Sequence, residues 1–124
     1  MFISEAAKLL NVTPVTLRYY ERIGLIPPVA RINGGIRQYT KADIQRIELI
    51  TWMRNAGVSI ETLEKYVTLL NTKGDTILPR KRLLIQERTK LYQEYLELAR
   101  KMAQLDQKIA AFDGRTNHCN KHVS

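Results

Sequence analysis

The 124-residue sequence predicts a mainly α-helical fold, in which two short helices, a small hairpin and two further helices precede one long helix. Three observations predict it. Apolar residues recur at helical spacing along most of the chain. An Asn-Gly-Gly turn interrupts that spacing near residue 34, and apolar residues repeat every seven positions through the last third of the chain.

The composition restricts the class of protein and of partner. Twenty Lys and Arg residues against twelve Asp and Glu give a net charge of +8 and an isoelectric point near 9.8, which favours nucleic acid or an acidic membrane surface as partner. The single cysteine, Cys119, excludes an intrachain disulfide and indicates a cytoplasmic protein. The sequence has no run of ~18 apolar residues and no secretory signal at its start, so no membrane partner is expected.

The first two helices are short and lie close together in sequence. Ser4 is expected to cap the first helix, and Thr13 the second, with Pro14 at its first position and Gly24 at its end. The apolar positions of the first helix are Ile3, Ala6, Ala7 and Leu10. Two short helices separated by about three residues form a helix-turn-helix unit, whose second helix is placed to enter the major groove of DNA.

A hairpin, or wing, is expected within residues 25–39. The Pro27-Pro28 pair forbids a helix there, and Asn33-Gly34-Gly35 favours a tight turn because these residues accept positive φ. The return strand is predicted to carry Ile36, Arg37 and Tyr39. Such short strands need support from the helices.

The third and fourth helices have clear starts. Thr40 and Asp43 have the spacing of a capping box, and the third helix ends at Gly57. Ser59 caps the fourth helix. The inward positions of the two helices are Ile44, Ile47, Ile50, Met53, Ile60, Leu63, Val67 and Leu70.

The long helix is predicted to begin near Thr76, with Pro79 in its first turn, and to end at Asp113-Gly114. It carries a seam of nine heptad positions, of which only Arg88 is not apolar. The apolar seam residues are Leu84, Leu91, Tyr95, Leu98, Met102, Leu105, Ile109 and Phe112. Too little chain remains to cover this seam, so a second copy of the helix is the expected partner, in a homodimer.

These elements divide the chain into three parts. Residues 1–75 form the predicted winged helix-turn-helix domain, and residues 76–113 the dimerisation helix. Residues 114–124 are expected to be a disordered tail.

The second helix carries the strongest candidate DNA contacts. Arg18 can donate two hydrogen bonds to a guanine edge or bind phosphate, and Thr16 and Tyr19 can donate to phosphates beside the helix N-terminus. The alternative is that Leu17 and Tyr20 are core residues and Arg18 is only a solvated charge. The predicted DNA-binding residues are Thr13, Thr16, Arg18, Tyr19, Tyr20, Arg37, Tyr39 and Arg54.

Three of these residues lie outside the second helix. Arg37 and Tyr39 follow the hairpin turn, where a wing can contact phosphates, although Tyr39 can equally pack on the third helix. Arg54 ends the third helix, where it can contact phosphate or only complement the helix dipole.

Three segments resemble the MerR family of bacterial transcription regulators: TLRYYERIGLIPP at 16–28, GIRQYT at 35–40 and MRNAGVSIETL at 53–63. With the seam, the resemblance covers about residues 1–113. It implies that the second helix reads the major groove, that the wing contacts the DNA backbone and that the long helices pair as an antiparallel coiled coil. It also implies a near-palindromic operator between promoter elements that lie too far apart, which the dimer bends and untwists so that RNA polymerase engages both.

The resemblance assigns further roles to single residues. Tyr20 matches a tyrosine that contacts DNA or supports the helix, and Arg54 a basic residue that helps distort the operator centre. A compact subgroup linked with aldehyde and electrophile stress carries cysteine where this chain has Trp52, so a stress response is expected but thiol sensing at this position is excluded. Trp52 is expected to pack under the long helix.

The C-terminal tail contains His118, Cys119 and His122, whose spacing fits no standard metal site. No metal or other cofactor is therefore expected.

The alternatives to a DNA-binding regulator are a coiled-coil scaffold and an enzyme. A coiled-coil scaffold without specific DNA readout would need only the seam. An enzyme is not expected, because the sequence has no paired-carboxylate, Ser-His-Asp or phosphate-loop pattern, and no residue is predicted to be catalytic.

Overall fold

The computed structural model describes residues 1–114, and its mainly helical architecture with a small wing and a long terminal helix confirms the predicted fold class. The elements of this part of the chain, in order, are α1 (Ile3–Leu10), α2 (Pro14–Arg22), β1 (Arg31–Ile32), β2 (Ile36–Arg37), α3 (Lys41–Asn55), α4 (Ile60–Leu70) and α5 (Ile77–Gly114).

The chain divides into two compact units. The first unit, Met1–Glu87, contains everything up to α4 and the first turns of α5, and the second begins at Arg88. Leu83 and Leu84 of α5 pack against the core of the first unit, which is why that unit extends past the start of the helix. The three-part division of the chain stays a prediction.

The start of α1 differs from the prediction. Phe2, in extended conformation, is the N-cap, and Ser4 lies inside the helix. The Glu5 carboxylate accepts a hydrogen bond from the Phe2 N–H at 3.2 Å, and an acidic group in the first turn also favours the helix dipole. A carboxylate one residue beyond Ser4 thus stabilises an earlier helix start.

The other predicted caps are confirmed. Thr13 Oγ1 accepts from the Thr16 N–H at 3.1 Å, with Pro14 at the first helical position of α2. Thr40 and Asp43 form the capping box of α3, each side chain accepting from the other residue's N–H at 2.9–3.1 Å. At α4, Ser59 Oγ accepts from the Thr62 N–H at 3.2 Å.

The core of the first unit joins α1 to α4 with the segment that follows α2. Its largest fully buried side chains are Leu17, Leu25, Ile26, Ile47, Ile50, Met53 and Leu63. Because α2 contributes Leu17 and Tyr20 to this core, its opposite face is held outward.

The wing is a two-stranded antiparallel hairpin. Arg31 faces Arg37 and Ile32 faces Ile36, and all three residues of the turn, 33–35, have positive φ. Tyr39 was predicted on the return strand, but it lies beyond β2. Its N–H donates to the Met1 carbonyl at 2.7 Å, so the chain has already left the hairpin for the N-terminus at that residue.

Helix α5 continues for 38 residues. All residues from 88 to 114 are exposed, and the apolar seam residues of that segment are between 40% and 65% exposed, at Leu91 and Leu105 respectively. Within a single chain the predicted seam is therefore uncovered. None of the helices in residues 1–114 has the length and hydrophobicity needed to cross a membrane.

Candidate nucleic-acid interface

The outward face of α2 carries the groove-reading candidates. Val15 is 71% exposed and Arg18 is exposed one turn later, while Leu17 and Tyr20 are buried on the opposite side. At the start of the helix, the hydroxyls of Thr13 and Thr16 lie 2.9 Å apart. The face therefore combines a cation and two hydroxyls with the positive end of a helix dipole, the groups that contact bases and phosphates.

The two tyrosines of α2 differ in exposure. The Tyr19 ring is half-buried, 6.3 Å from the Tyr20 ring, and the Arg22 guanidinium lies 5.3 Å from its centroid. Tyr20 is only 5% exposed, which favours support over contact with DNA. Burial raises the pKa of its hydroxyl, against the opposing effect of the nearby Arg54, so Tyr20 stays protonated at neutral pH.

A partly buried ion pair ties the wing to α2. Arg37 Nε donates to Glu21 Oε1 at 2.7 Å, and Glu21 Oε2 accepts from the Val29 N–H at 3.2 Å. Burial raises the pKa of the Glu21 carboxyl, but the bonds from Arg37 and Val29 and the charges of Arg37 and Arg31 outweigh it and leave the pKa lowered. Glu21 is therefore ionised and fixes the wing cation.

Tyr39 is buried beneath this region. It is 3% exposed, and its hydroxyl is buried without a hydrogen-bond partner among residues 1–114. Burial raises the pKa of this hydroxyl, while the charges of Arg37 and Arg18 lower it and those of Glu21 and Asp43 raise it. The burial favours the packing interpretation of Tyr39 over a phosphate contact.

Arg54, at the end of α3, is exposed and shares its neighbourhood with Tyr20. Its Nη1 donates to the Val58 carbonyl at 2.8 Å, in the corner between α3 and α4. The fold thus gathers three cations near α2: Arg18 on the helix, Arg37 on the wing and Arg54 at the α3 terminus.

Comparison with known proteins identifies this arrangement. The model of the MerR HTH family regulatory proteins matches residues 1–70, more than half of the chain.

The chain belongs to the MerR family.

Similar proteins are regulators of the same family. The chain is 54% identical over 92 residues to the HTH-type transcriptional regulator AdhR of Bacillus subtilis, a match that spans 73% of this chain but only 65% of AdhR. A crystal structure of a MerR family transcriptional regulator from Listeria monocytogenes superimposes with a TM-score of 0.74 at 36% identity, covering 93% of this chain and 87% of that one. HiNmlR, a MerR family regulator lacking the sensor domain and bound to promoter DNA, has a TM-score of 0.67 and 27% identity, with 91% and 86% of the two chains covered.

In this MerR family protein, Trp52 does not pack as predicted. It is 66% exposed on α3, beside the exposed Leu9, so in the single chain it is not buried. Among residues 1–114 no three His, Cys, Asp or Glu side chains are grouped to hold a metal ion. The tail cluster of His118, Cys119 and His122 lies outside the described residues.

Two residues of the interface were not singled out from the sequence. Glu21 orders the wing through Arg37, and Arg31 Nη1 closes the hairpin turn by donating to the Gly35 carbonyl at 3.1 Å. The signal for Arg31 was available, because it lies opposite Arg37 in any hairpin centred on residue 34. The roles of the eight predicted DNA-binding residues in binding stay predictions.

Proposed function

We propose that this MerR family protein is a dimeric, sequence-specific DNA-binding regulator of transcription that acts in the bacterial cytoplasm, on the nucleoid. One observation carries the proposal: the exposed face of α2, with Arg18 at its centre, stands beside a basic wing that is locked to the same helix through Glu21. A helix presented in this way can enter a major groove while the wing contacts the flanking backbone.

Each candidate residue has a role in this proposal, and Tyr19 and Arg54 contact phosphates. Arg18 reads a base edge, most favourably guanine, to which it can donate two hydrogen bonds. Thr13 and Thr16 contact phosphate at the helix N-terminus, and Arg37 contacts phosphate from the wing through the guanidinium nitrogens not bonded to Glu21. Tyr20 and Tyr39 support these groups from the core.

The seam of α5 makes the protein a dimer in this proposal. Its side chains are half or more exposed over the segment from Tyr95 to Ile109. An apolar stripe of this length is unfavourable in water, and pairing with a second copy of the same helix buries the stripe. Antiparallel pairing then presents two reading helices to the two halves of a near-palindromic operator.

The proposed action on the promoter is deformation. The dimer binds between promoter elements that lie too far apart and bends and untwists the DNA so that RNA polymerase can engage both, as part of a stress response. HiNmlR, which has a similar fold, was crystallised on promoter DNA, and that supports a promoter as the target. The regulators that resemble this chain give no reason to assign it catalytic residues.

The test is selection of DNA from a pool of random duplexes, carried out at two salt concentrations. The proposal predicts recovery of an inverted repeat whose binding weakens steeply with salt, because phosphate contacts release counterions. Recovery of no common motif from the full-length protein would contradict sequence-specific binding and favour the scaffold alternative.

A further inference from the structure

We propose that Glu87, a buried carboxylate on α5, is a positioning residue for Arg54 and acts through the peptide group that joins Val58 to Ser59. This inference rests on the proposed function, because it concerns how a DNA-contacting cation is held. Arg54 Nη1 donates to the Val58 carbonyl at 2.8 Å, and Glu87 Oε1 accepts from the Ser59 N–H at 2.8 Å. The two side chains therefore bond to opposite edges of one planar peptide group.

The planarity of the peptide makes this arrangement a coupling. The Val58 carbonyl and the Ser59 N–H cannot rotate independently, because partial double-bond character holds them in one plane. An acceptor that fixes the N–H also fixes the direction of the carbonyl, and hence the anchor of Arg54. The bond to an ionised acceptor also polarises the peptide and strengthens the bond on its other side.

The local sequence explains why the acceptor comes from another helix. Ser59 is the N-cap of α4, and a capping box would place Glu or Gln three residues later to accept from its N–H. That position is Thr62, whose hydroxyl instead bonds with the Ser59 hydroxyl at 3.1 Å. Glu87 supplies the missing acceptor from 28 residues away, and its charge also favours the N-terminal end of α4.

Because Glu87 is buried, its contact with the Ser59 N–H costs hydration and is held in a fixed geometry. Glu87 is 5% exposed, the one buried polar side chain among residues 1–114, and it occupies a helix whose following residues are all exposed. A carboxylate is buried only where its bonds repay the lost hydration. With its guanidinium anchored, Arg54 loses less side-chain freedom on meeting a phosphate, so operator binding is stronger.

The consequence is that the helix expected to dimerise also orders a residue of the DNA interface. Helix α5 is uninterrupted from Ile77 to Gly114, so Glu87 and the seam share one helix. The backbone of Arg54 is thus fixed by α3, and its guanidinium is fixed by Glu87 of α5 through the 58–59 peptide.

The test is a double-mutant cycle on the full-length chain, with Glu87→Met, Arg54→Ala and the double variant. The probe is the inverted-repeat duplex recovered by the selection above. Glu87→Met keeps the length and helix preference of the side chain but removes its oxygens. It should weaken binding by between about twofold and about a hundredfold in the wild-type background. In the Arg54→Ala background it should have no further effect.

Two further variants separate positioning from general structural damage. Glu87→Gln keeps a neutral acceptor and should fall between wild type and Glu87→Met, because bonds to charged acceptors are about twice as strong. Glu61→Gln, on the first turn of α4 with a side chain 82% exposed, makes the same change in net charge away from the 58–59 peptide. It should bind as the wild type does.

The outcomes are distinct. Loss of binding by Glu87→Met that is equally large with and without Arg54 overturns the inference and makes Glu87 merely structural. If Glu87→Met fails to fold, as judged by circular dichroism, the same double-mutant cycle is measured with Glu87→Gln in its place. Additive losses of binding free energy from Glu87→Gln and Arg54→Ala would also overturn the inference. Faster hydrogen exchange at the Ser59 amide in the variants supports it. If the wild type itself recovers no specific duplex, the proposed function fails instead.

Discussion

At the scale of single residues, Arg18 is the side chain on which recognition of the DNA sequence most depends. It lies on the outward face of α2, opposite the buried Leu17. Replacing it with alanine should weaken operator binding by about 1–3 kcal/mol and relax the preference for one base in each half-site. The measurement is a titration of the recovered duplex and of duplexes altered at single positions.

The matched control for Arg18→Ala is Lys65→Ala on α4. It removes the same charge from an exposed site that pairs only at 3.7 Å with Glu61. The control should retain the base preference. If Arg18→Ala retained the base preference as Lys65→Ala does, Arg18 would contribute charge to binding but would not recognise a base.

Glu21 predicts a specific dependence of stability on pH. Its pKa is lowered in the folded chain from an ordinary value of 4.5, chiefly because Arg37 and the Val29 N–H bond to the carboxylate despite its burial. A lowered pKa contributes stability that is present above the ordinary pKa and is lost as the pH falls through the folded value. Glu21→Gln should therefore be less stable than wild type at pH 7, and the gap should narrow below pH 4.5.

Urea unfolding at a series of pH values measures this gap. Glu64→Gln, on the exposed side of α4, is the matched control and should unfold in parallel with the wild type. If the difference in free energy of unfolding between the wild type and Glu21→Gln stayed constant from neutral to acid pH, the ion pair would not stabilise the fold.

The exposure of Arg18 could be predicted from the sequence, whereas the long-range bonds of Glu21 and Glu87 could not. Arg18 follows from the helical repeat alone, because its neighbours Leu17 and Tyr20 must face the core. Glu21 and Glu87 could not be found in this way, since their partners lie 16 and 28 residues away and no local pattern marks such pairs.

At the scale of elements, the seam of α5 makes the clearest prediction. Leu98 lies near its middle and is 59% exposed. Leu98→Asp should give monomers and abolish tight operator binding, because a buried carboxylate at a coiled-coil core position lacks a compensating partner. Sedimentation equilibrium measures the oligomeric state.

The control for Leu98→Asp is Gln93→Asp, which introduces the same charge on α5 outside the seam positions. This variant should remain a dimer. A Leu98→Asp protein that sediments as a dimer would contradict the proposed coiled coil.

The boundaries of the elements show where local rules suffice. The caps at Thr13, Thr40 and Ser59 were predictable because a hydroxyl followed by a helical pattern has one favourable use. Ser4 was mistaken for a cap because Glu5, one residue later, stabilises an earlier start. Tyr39 lies outside the hairpin because its N–H bonds to Met1, a contact between residues 38 positions apart in the sequence.

At the scale of the whole molecule, the net charge of +8 predicts that DNA binding weakens as the salt concentration rises. Each chain is proposed to place Arg37 and Arg54 on phosphates, so a dimer supplies four such cations. If each neutralises a phosphate, the logarithm of the binding constant should fall with the logarithm of salt concentration with a slope of about −4. A Leu98→Asp monomer should show about half that slope, and a slope near zero would rule out binding by phosphate neutralisation.

Sequence-specific binding by a dimer is tested most directly by comparing two duplexes of equal length and composition, the recovered inverted repeat and a scrambled version of it. At one near-physiological salt concentration, the protein should prefer the inverted repeat by at least about a thousandfold, with two chains on each duplex. Equal affinity for the two duplexes would contradict sequence-specific binding, because a basic surface that only neutralises phosphates binds every sequence alike.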